Sequence, residues 1–239
     1  MSAASRTGTP PLGWTLLGLT TVGLLGIAIY SIFFLAPVEE QMGVVQKIFY
    51  FHVPSAYAMY LGFAICAVCS GLYLFRQQER WDAVAVAAAE VGVLFCAVVL
   101  VSGPLWARKA WGVWWTWDPR LTTTMLAGMI FVAYLSLRSF GTVGDAEKRF
   151  AAALALAGLC VLPIIHKSVD LWRGQHPTVI TSQGGGLDAA MWLALALSFL
   201  AFTALVTWLI WTRARIESNR ARVEALQSFA VQQGLFEER

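Results

Sequence analysis

Five of the chain's 11 tryptophans lie within the 12 residues from Trp106 to Trp117. Tryptophan favours the membrane–water interface, but an aromatic belt there does not need a continuous run. A run of large flat side chains suits a planar aromatic ligand, because burial against the rings gives apolar area and stacking at low entropic cost. The cluster therefore predicts a ligand platform, formed by Trp111, Trp114, Trp115 and Trp117.

The tryptophan run ends in Asp118–Pro119, which has a simpler structural explanation. Aspartate is favoured as a helix N-cap, and proline fits the first turn of a helix. These two residues predict the start of the next helix, whereas capping does not explain the tryptophans before them.

The three histidines are the candidate metal ligands. Pro54 disfavours the helical conformation for the residue before it, so we expect His52 to lie just outside a helix. His176 directly precedes Pro177 and should also be extended. Two imidazoles from separate loops beside an aromatic platform can form an axial pair for haem iron.

A single histidine is more often an ordinary polar residue with hydrogen-bond partners than a metal ligand. Here the tryptophan run, His52 and His176 are all expected on one face, which favours the ligand interpretation. His166 follows an apolar run and precedes Lys167, so it more simply marks the membrane edge.

Four basic residues near the tryptophans could pair with the two propionates of haem through charge-assisted hydrogen bonds. Contact with lipid headgroups is the alternative for any one of them. They are Arg108, Lys109, Arg120 and Arg173.

The elements that must position these residues are membrane-spanning helices. Hydrophobic residues make up 58% of the chain and charged residues 13%, against about 25% charged in soluble domains. Apolar runs of about 20 residues span a bilayer, and runs of this length must be helical because lipid offers no partner to the backbone. The six candidate spans lie near residues 14–36, 53–75, 83–105, 121–137, 150–165 and 189–212.

We therefore predict an all-α, polytopic integral membrane protein. Residues 1–212 would form a six-transmembrane-helix bundle with a tryptophan-rich outer loop at 106–120. Residues 213–239 would continue the sixth span as a cytoplasmic amphipathic tail, with Ile216, Val223, Leu226 and Phe229 at helical spacing. The side that holds both termini carries 11 of the Lys and Arg residues and the other side 6. The positive-inside rule then places both termini in the cytoplasm.

Other features of the sequence exclude several classes of function. The basic residues lie between apolar runs, which argues against nucleic-acid binding. The four cysteines lie inside apolar stretches and predict packing rather than disulfides. No nucleophile, acid–base pair or nucleotide loop is visible, so we expect no enzyme. Glu90 lies within the third span, where we expect it to be protonated or to face the bundle interior; a role in a haem path is a weaker idea.

Residues 111–122 read WGVWWTWDPRLT, which resembles the signature of the Trp-rich (WWD) haem-handling membrane proteins of cytochrome c assembly. Within them, the chain most resembles the haem exporter protein C (CcmC) family. The segments KIFYFHVPSA around His52 and SVDLWRGQHPT around His176 extend this resemblance over nearly the whole chain.

The resemblance implies a multi-pass protein of the bacterial inner membrane that binds haem b at the periplasmic face and passes it to a periplasmic haem chaperone. It implies partners as well: ABC-type transporter subunits and a small membrane subunit of the maturation complex. The residues that match the family's haem ligands and motif core are His52, His176, Trp114, Trp115, Trp117 and Asp118.

Three alternatives remain open from the sequence. A haem-ligating cytochrome c synthase component is usually longer and carries a further domain. An electron-carrying membrane cytochrome b needs histidine pairs deep within its helices. A plain structural subunit leaves the tryptophan run unexplained.

Overall fold

The computed structural model describes residues 10–140, 144–174, 176 and 186–233. Within these residues, six helices are long and apolar enough to cross a membrane, which confirms the predicted six-helix bundle. They are α1 (Leu12–Tyr30, continued by a π-helical turn Ser31–Leu35), α2 (Phe49–Arg76, preceded by a 3₁₀ turn Val44–Ile48), α3 (Glu79–Trp111), α4 (Pro119–Phe140), α5 (Asp145–Trp172) and α6 (Ala189–Gln232).

The helices extend beyond the spans predicted from the apolar runs. The difference is largest for α5, which was expected over 150–165 and covers Asp145–Trp172. Charged residues continue this helix because they find partners at the bundle end: Lys148 Nζ lies 2.6 Å from Glu79 Oε2. Beside them, Arg138 Nη2 lies 2.5 Å from Asp82 Oδ2, with both side chains almost fully buried.

Small residues allow α2 and α3 to pack backbone against backbone. A β-carbon on Gly62 would lie 2.7 Å from the Cα of Gly92, so a larger residue at either position would push the helices apart. Phe63 follows directly and stacks on Phe131 of α4, with ring centroids 3.8 Å apart. This close packing fixes α2, α3 and α4 relative to one another, and all three contribute to the site.

The prediction that His52 lies outside the helix is wrong. His52 is the fourth residue of α2, and Pro54 lies inside the same helix. The bias against a helical residue before proline is overridden here, because α2 continues from the 3₁₀ turn and Pro54 is fully buried in the bundle. Proline lacks an N–H, so its cost is one backbone hydrogen bond in the second turn.

A buried lysine closes the end of α1 beside the start of α2. The Nζ of Lys47 donates to the carbonyl oxygens of Ile32 at 2.6 Å and Ala36 at 3.2 Å. The carbonyls at a helix C-terminus have no partner within the helix, and a cation there also suits the helix dipole. This contact fixes the segment that leads into His52.

Glu90 on α3 meets Arg213 on α6. The Nη2 of Arg213 donates to Oε1 of Glu90 at 2.6 Å, and its Nε donates to the other carboxylate oxygen. The sequence left Glu90 either protonated or facing the bundle interior, and the structure directs its side chain toward Arg213 of another helix. Glu90 does not line the cavity described below.

The last helix continues without a break through most of the segment predicted as the amphipathic tail. α6 ends at Gln232, and its apolar residues beyond Arg213 are exposed: Ile216, Val223, Leu226 and Phe229. All four cysteine thiols are free, as predicted, and Cys66, Cys69 and Cys96 are buried while Cys160 is exposed.

Candidate functional site

A cavity of about 490 Å³ lies at the end of the bundle where α2 begins and α3 ends. This volume falls in the usual range for ligand pockets, about 300–1,000 Å³. Of the described residues, members of five helices and His176 form its wall. The lining residues include His52, Tyr57, Met59 and Tyr60 of α2, Leu100, Gly103, Trp106 and Trp111 of α3, Arg120 and Thr124 of α4, His166 of α5, His176, and Phe199 of α6.

His52 enters the cavity wall from the first turn of α2. Its Nδ1 lies 2.8 Å from the Oγ of Ser102 on α3. Gly103 is the next residue, and a β-carbon there would lie 3.3 Å from Cε1 of His52. The glycine therefore leaves room for the imidazole ring beside its hydrogen-bond partner.

His176 lines the same cavity from the segment after α5, so the structure brings the two predicted ligands together. Burial lowers the pKa of His176 to about 4, assisted by the positive charge of Arg120. The ring is therefore neutral near pH 7, as metal ligation requires. Its buried Nδ1 has no hydrogen-bond partner among the described residues.

Asp118 connects the start of α4 to the segment that carries His176. Its Oδ1 accepts a hydrogen bond from the Arg120 amide at 2.9 Å, so it acts at the start of α4, as the sequence predicted. Its other oxygen, Oδ2, faces Gly174, where a β-carbon would lie only 2.6 Å away. Arg173 ends α5 in the left-handed conformation, with φ of 52°. The chain thus turns against Asp118 just before His176.

Arg120 is the cationic residue of the cavity wall. Its Nη2 donates to the backbone carbonyl of His166 at 3.2 Å, which ties α4 to α5. Its buried Nε has no partner within the described part of the chain. A guanidinium with a free donor in a cavity can bind a carboxylate.

The other predicted propionate partners lie outside the cavity wall. Arg108 lies over the ring of Trp114 at 5.9 Å and donates to the carbonyl of Gly112. Lys109 and Arg173 are exposed. Their proposed contacts with a ligand stay predictions.

The tryptophan-rich segment divides into a helical part and a loop. The segment predicted as a loop from residue 106 is helical up to Trp111, because α3 continues past its apolar run. Trp106 and Trp111 line the cavity, and the ring of Trp111 meets that of His176 edge-on at 6.3 Å. Trp114 and Trp117 are 58% and 73% exposed and lie outside the cavity wall. Trp115 packs edge-on against Trp117, with centroids 5.8 Å apart.

Some lining residues carried no usable signal in the sequence. His166 was interpreted as a marker of the membrane edge, yet it lines the cavity. Met59, Tyr60, Thr124 and Phe199 lie within apolar helices, where their types are unremarkable. Only the packing of the helices shows that they share a cavity.

These observations define a multi-pass helical membrane protein with a cavity lined by aromatic, histidine and arginine side chains. The two imidazoles, the aromatic wall and the unpartnered Nε of Arg120 are groups that suit haem.

The sequence model of the family described as heme exporter protein C (CcmC) matches residues 8–228. The chain therefore belongs to the heme exporter protein C family, which confirms the resemblance seen in its motifs.

Individual relatives agree with this assignment. Heme exporter protein C of Bradyrhizobium diazoefficiens is 37% identical over 88% of this chain and 81% of its own length. Heme exporter protein C of Escherichia coli K12 is 32% identical over 85% of this chain and 83% of its own. A putative cytochrome c biosynthesis ccmC-like mitochondrial protein of Marchantia polymorpha is 31% identical over 75% of this chain and 76% of its own.

Proposed function

We propose that this protein binds haem b in the cavity between its helices and passes it on for cytochrome c maturation. Membership of the heme exporter protein C family supports a role in haem handling for cytochrome c biogenesis. The observation that carries the proposal is the shared cavity, in which His52, His176, Trp111 and Arg120 all form part of one wall.

Each imidazole would provide one axial nitrogen to the iron. The pKa of about 4 keeps His176 neutral, and its buried Nδ1 has no hydrogen-bond partner among the described residues. An unpartnered buried polar atom is costly unless a ligand satisfies it. Haem, when bound, would supply that partner.

The cavity wall would also recognise the porphyrin itself. Trp106 and Trp111 would pack against the ring, and the free Nε of Arg120 would donate to a propionate. The exposed rings of Trp114 and Trp117 and the half-buried ring of Trp115 would cover the outer edge of the ligand, next to Asp118 at the start of α4. Arg108, Lys109 and Arg173 would act as further cations near the propionates.

The charge distribution supports a multi-pass protein of the bacterial inner membrane with this cavity at the periplasmic face. From there, haem would be delivered to a periplasmic haem chaperone. ABC-type transporter subunits and a small membrane subunit would be the partners, and any ATP hydrolysis would occur in those subunits. We therefore propose a haem transporter or loader rather than an enzyme.

Absorption spectroscopy of the purified protein tests this function. The wild-type protein should show a haem Soret band, and His52→Ala or His176→Ala should each shift or weaken it because each removes an axial bond. His166→Ala is the matched control, since it removes an imidazole from the same cavity. Loss of the band only in His166→Ala would refute the ligand assignment.

Reporter fusions test the orientation. Fusions at Gln77 and Gly144, on the side with more Lys and Arg, should report cytoplasm. A fusion at Val113, in the loop between α3 and α4, should report periplasm. A cytoplasmic signal at Val113 would invert the proposed topology and exclude delivery to a periplasmic chaperone.

A further inference from the structure

We propose that Ser102 is a positioning residue that fixes the tautomer of His52, so that its Nε2 presents a lone pair to the haem iron. The inference rests on the proposed haem-binding function and deepens it. Ser102 was not among the sequence-predicted site residues, and it is not itself part of the cavity wall.

The argument starts from the single hydrogen of the serine hydroxyl. The Oγ of Ser102 lies 2.6 Å from the carbonyl oxygen of Val98, one turn earlier in α3. A carbonyl can only accept, so the hydroxyl hydrogen is directed to Val98. The Oγ is then an acceptor in its other contact, the one with His52.

The second contact determines where the imidazole carries its proton. The Nδ1 of His52 lies 2.8 Å from Oγ of Ser102, and with Oγ as acceptor Nδ1 must be the donor. A neutral imidazole has one N–H, so Nε2 keeps its lone pair. This is the tautomer that can coordinate a metal through Nε2, and a hydrogen bond on the other nitrogen is the usual way to select it.

Packing around the ring supports the same role. Gly103 follows Ser102, and its missing side chain leaves the space beside Cε1 of His52. Consecutive residues of α3 thus hold the ring through Ser102 and make room for it through Gly103. Because α2 and α3 pack closely at Gly62 and Gly92, the two helices hold this contact in a fixed geometry.

The variants that test the inference are Ser102→Ala, which removes the acceptor, and Ser102→Thr, which keeps a hydroxyl. Ser136→Ala is the matched control. The Ser136 hydroxyl makes the same bond to the carbonyl one turn earlier, that of Val132, at 2.9 Å in α4, and Ser136 does not line the cavity.

The first measurement uses the protein without haem. The chain has only three histidines, so ¹⁵N-histidine NMR of the purified protein can be assigned with His→Ala variants. We expect the wild type and Ser136→Ala to show His52 protonated at Nδ1. Ser102→Ala should lose this preference, and Ser102→Thr should restore it. Protonation at Nε2 in the wild type would overturn the inference.

The second measurement is haem titration with absorption spectra, beside titration with iron-free protoporphyrin. Loss of a hydrogen bond to a ligand's second nitrogen typically weakens metal binding about 10–100-fold. We expect Ser102→Ala to weaken haem binding by this factor and to reduce the low-spin fraction. Protoporphyrin binding should be unchanged, because it offers no metal.

The outcomes separate the inference from the proposed function. Wild-type haem affinity and spectrum in Ser102→Ala, with both changed in His52→Ala, would overturn only the role of Ser102. An equal loss for haem and protoporphyrin in Ser102→Ala would also overturn it, since it would indicate general disruption of the cavity. An unchanged spectrum in His52→Ala would overturn the ligand assignment and the inference with it.

Discussion

Gly174 approaches Asp118 so closely that a β-carbon on Gly174 would lie 2.6 Å from the Oδ2 atom of Asp118. The same β-carbon would lie 3.3 Å from Cδ of Pro119. The contact joins the end of α5 to the start of α4. His176 follows Gly174 by two residues, and Arg120 follows Asp118 by two residues, so both side chains lie near this contact in the sequence. The Asp118–Pro119 pair therefore has a contact beyond capping, because it packs against a residue two positions before His176.

Gly174→Ala should weaken haem binding, because the new methyl group must displace the segment that leads to His176. Overpacking of this kind costs about 1–3 kcal/mol, which corresponds to about 5–150-fold in affinity. Haem titration measures the change. Gly26→Ala is the control, since a β-carbon there meets no atom within 4 Å. Equal affinities for the two variants would contradict the positioning role of the contact.

Arg120→Gln should weaken binding of haem but not of haem dimethyl ester, in which the propionates carry no charge. A hydrogen bond to a charged group contributes about 1.5–3 kcal/mol, so we expect a loss of about 10–150-fold for haem alone. Haem and haem dimethyl ester are each titrated into the wild type and into Arg120→Gln. The difference between the two losses of affinity measures the contact between Arg120 and the propionates. Arg149→Gln is the control, because Arg149 is exposed and outside the cavity wall. Equal losses for haem and its ester would rule out the propionate contact.

Trp111→Ala should weaken binding of haem and of iron-free protoporphyrin alike, because a ring contact does not depend on the metal. Aromatic packing adds about 0.5–1.5 kcal/mol beyond area burial, so we expect a loss of at least about two- to tenfold for each ligand. Trp111→Phe should be milder, since a smaller aromatic face remains.

The exposed tryptophans provide the contrast for that experiment. If the loop covers the porphyrin edge, the double variant Trp114→Ala, Trp117→Ala should also weaken the binding of haem and of protoporphyrin. The loss should be smaller than in Trp111→Ala, because Trp111 is part of the cavity wall. Normal binding of both ligands with lower expression or stability in the membrane would instead show that Trp114 and Trp117 form an aromatic belt.

Arg138→Met should destabilise the protein without changing the haem spectrum of the folded fraction. The variant leaves the Asp82 carboxylate buried without its partner, which costs about 3–5 kcal/mol in comparable pairs. Thermal unfolding in detergent measures this cost. Arg220→Met is the control, because its ion pair with Glu224 is exposed and contributes little. A spectral change in Arg138→Met would show unexpected coupling between the two ends of the bundle.

The six helices could be predicted from the sequence because apolar length alone decides whether a helix spans a membrane. Their ends could not, because charged residues such as Asp82 and Lys148 are accommodated by partners on other helices. His52 was placed outside α2 for a similar reason: a local bias at Pro54 was weaker than the packing of the bundle.

Residues of the site could be predicted only where a histidine, tryptophan or arginine interrupts an otherwise apolar sequence. His52, His176, Trp111 and Arg120 stand out in an apolar chain, and the structure brings them to one cavity. Ser102 and Gly103 did not stand out, because serine and glycine are common in membrane helices. Their importance depends on a contact between residues that are 50 positions apart.

α6 is a single continuous helix, the longest among the described residues. Its 44 residues contain neither glycine nor proline, whereas α2, α3, α4 and α5 each contain both. At 1.5 Å per residue it is about 66 Å long, roughly twice the thickness of the hydrocarbon core. The same rod carries Phe199 in the cavity wall and, eight turns later, an apolar tip at Phe229. A partner that bound Phe229 would therefore contact the same continuous helix that contributes Phe199 to the cavity wall.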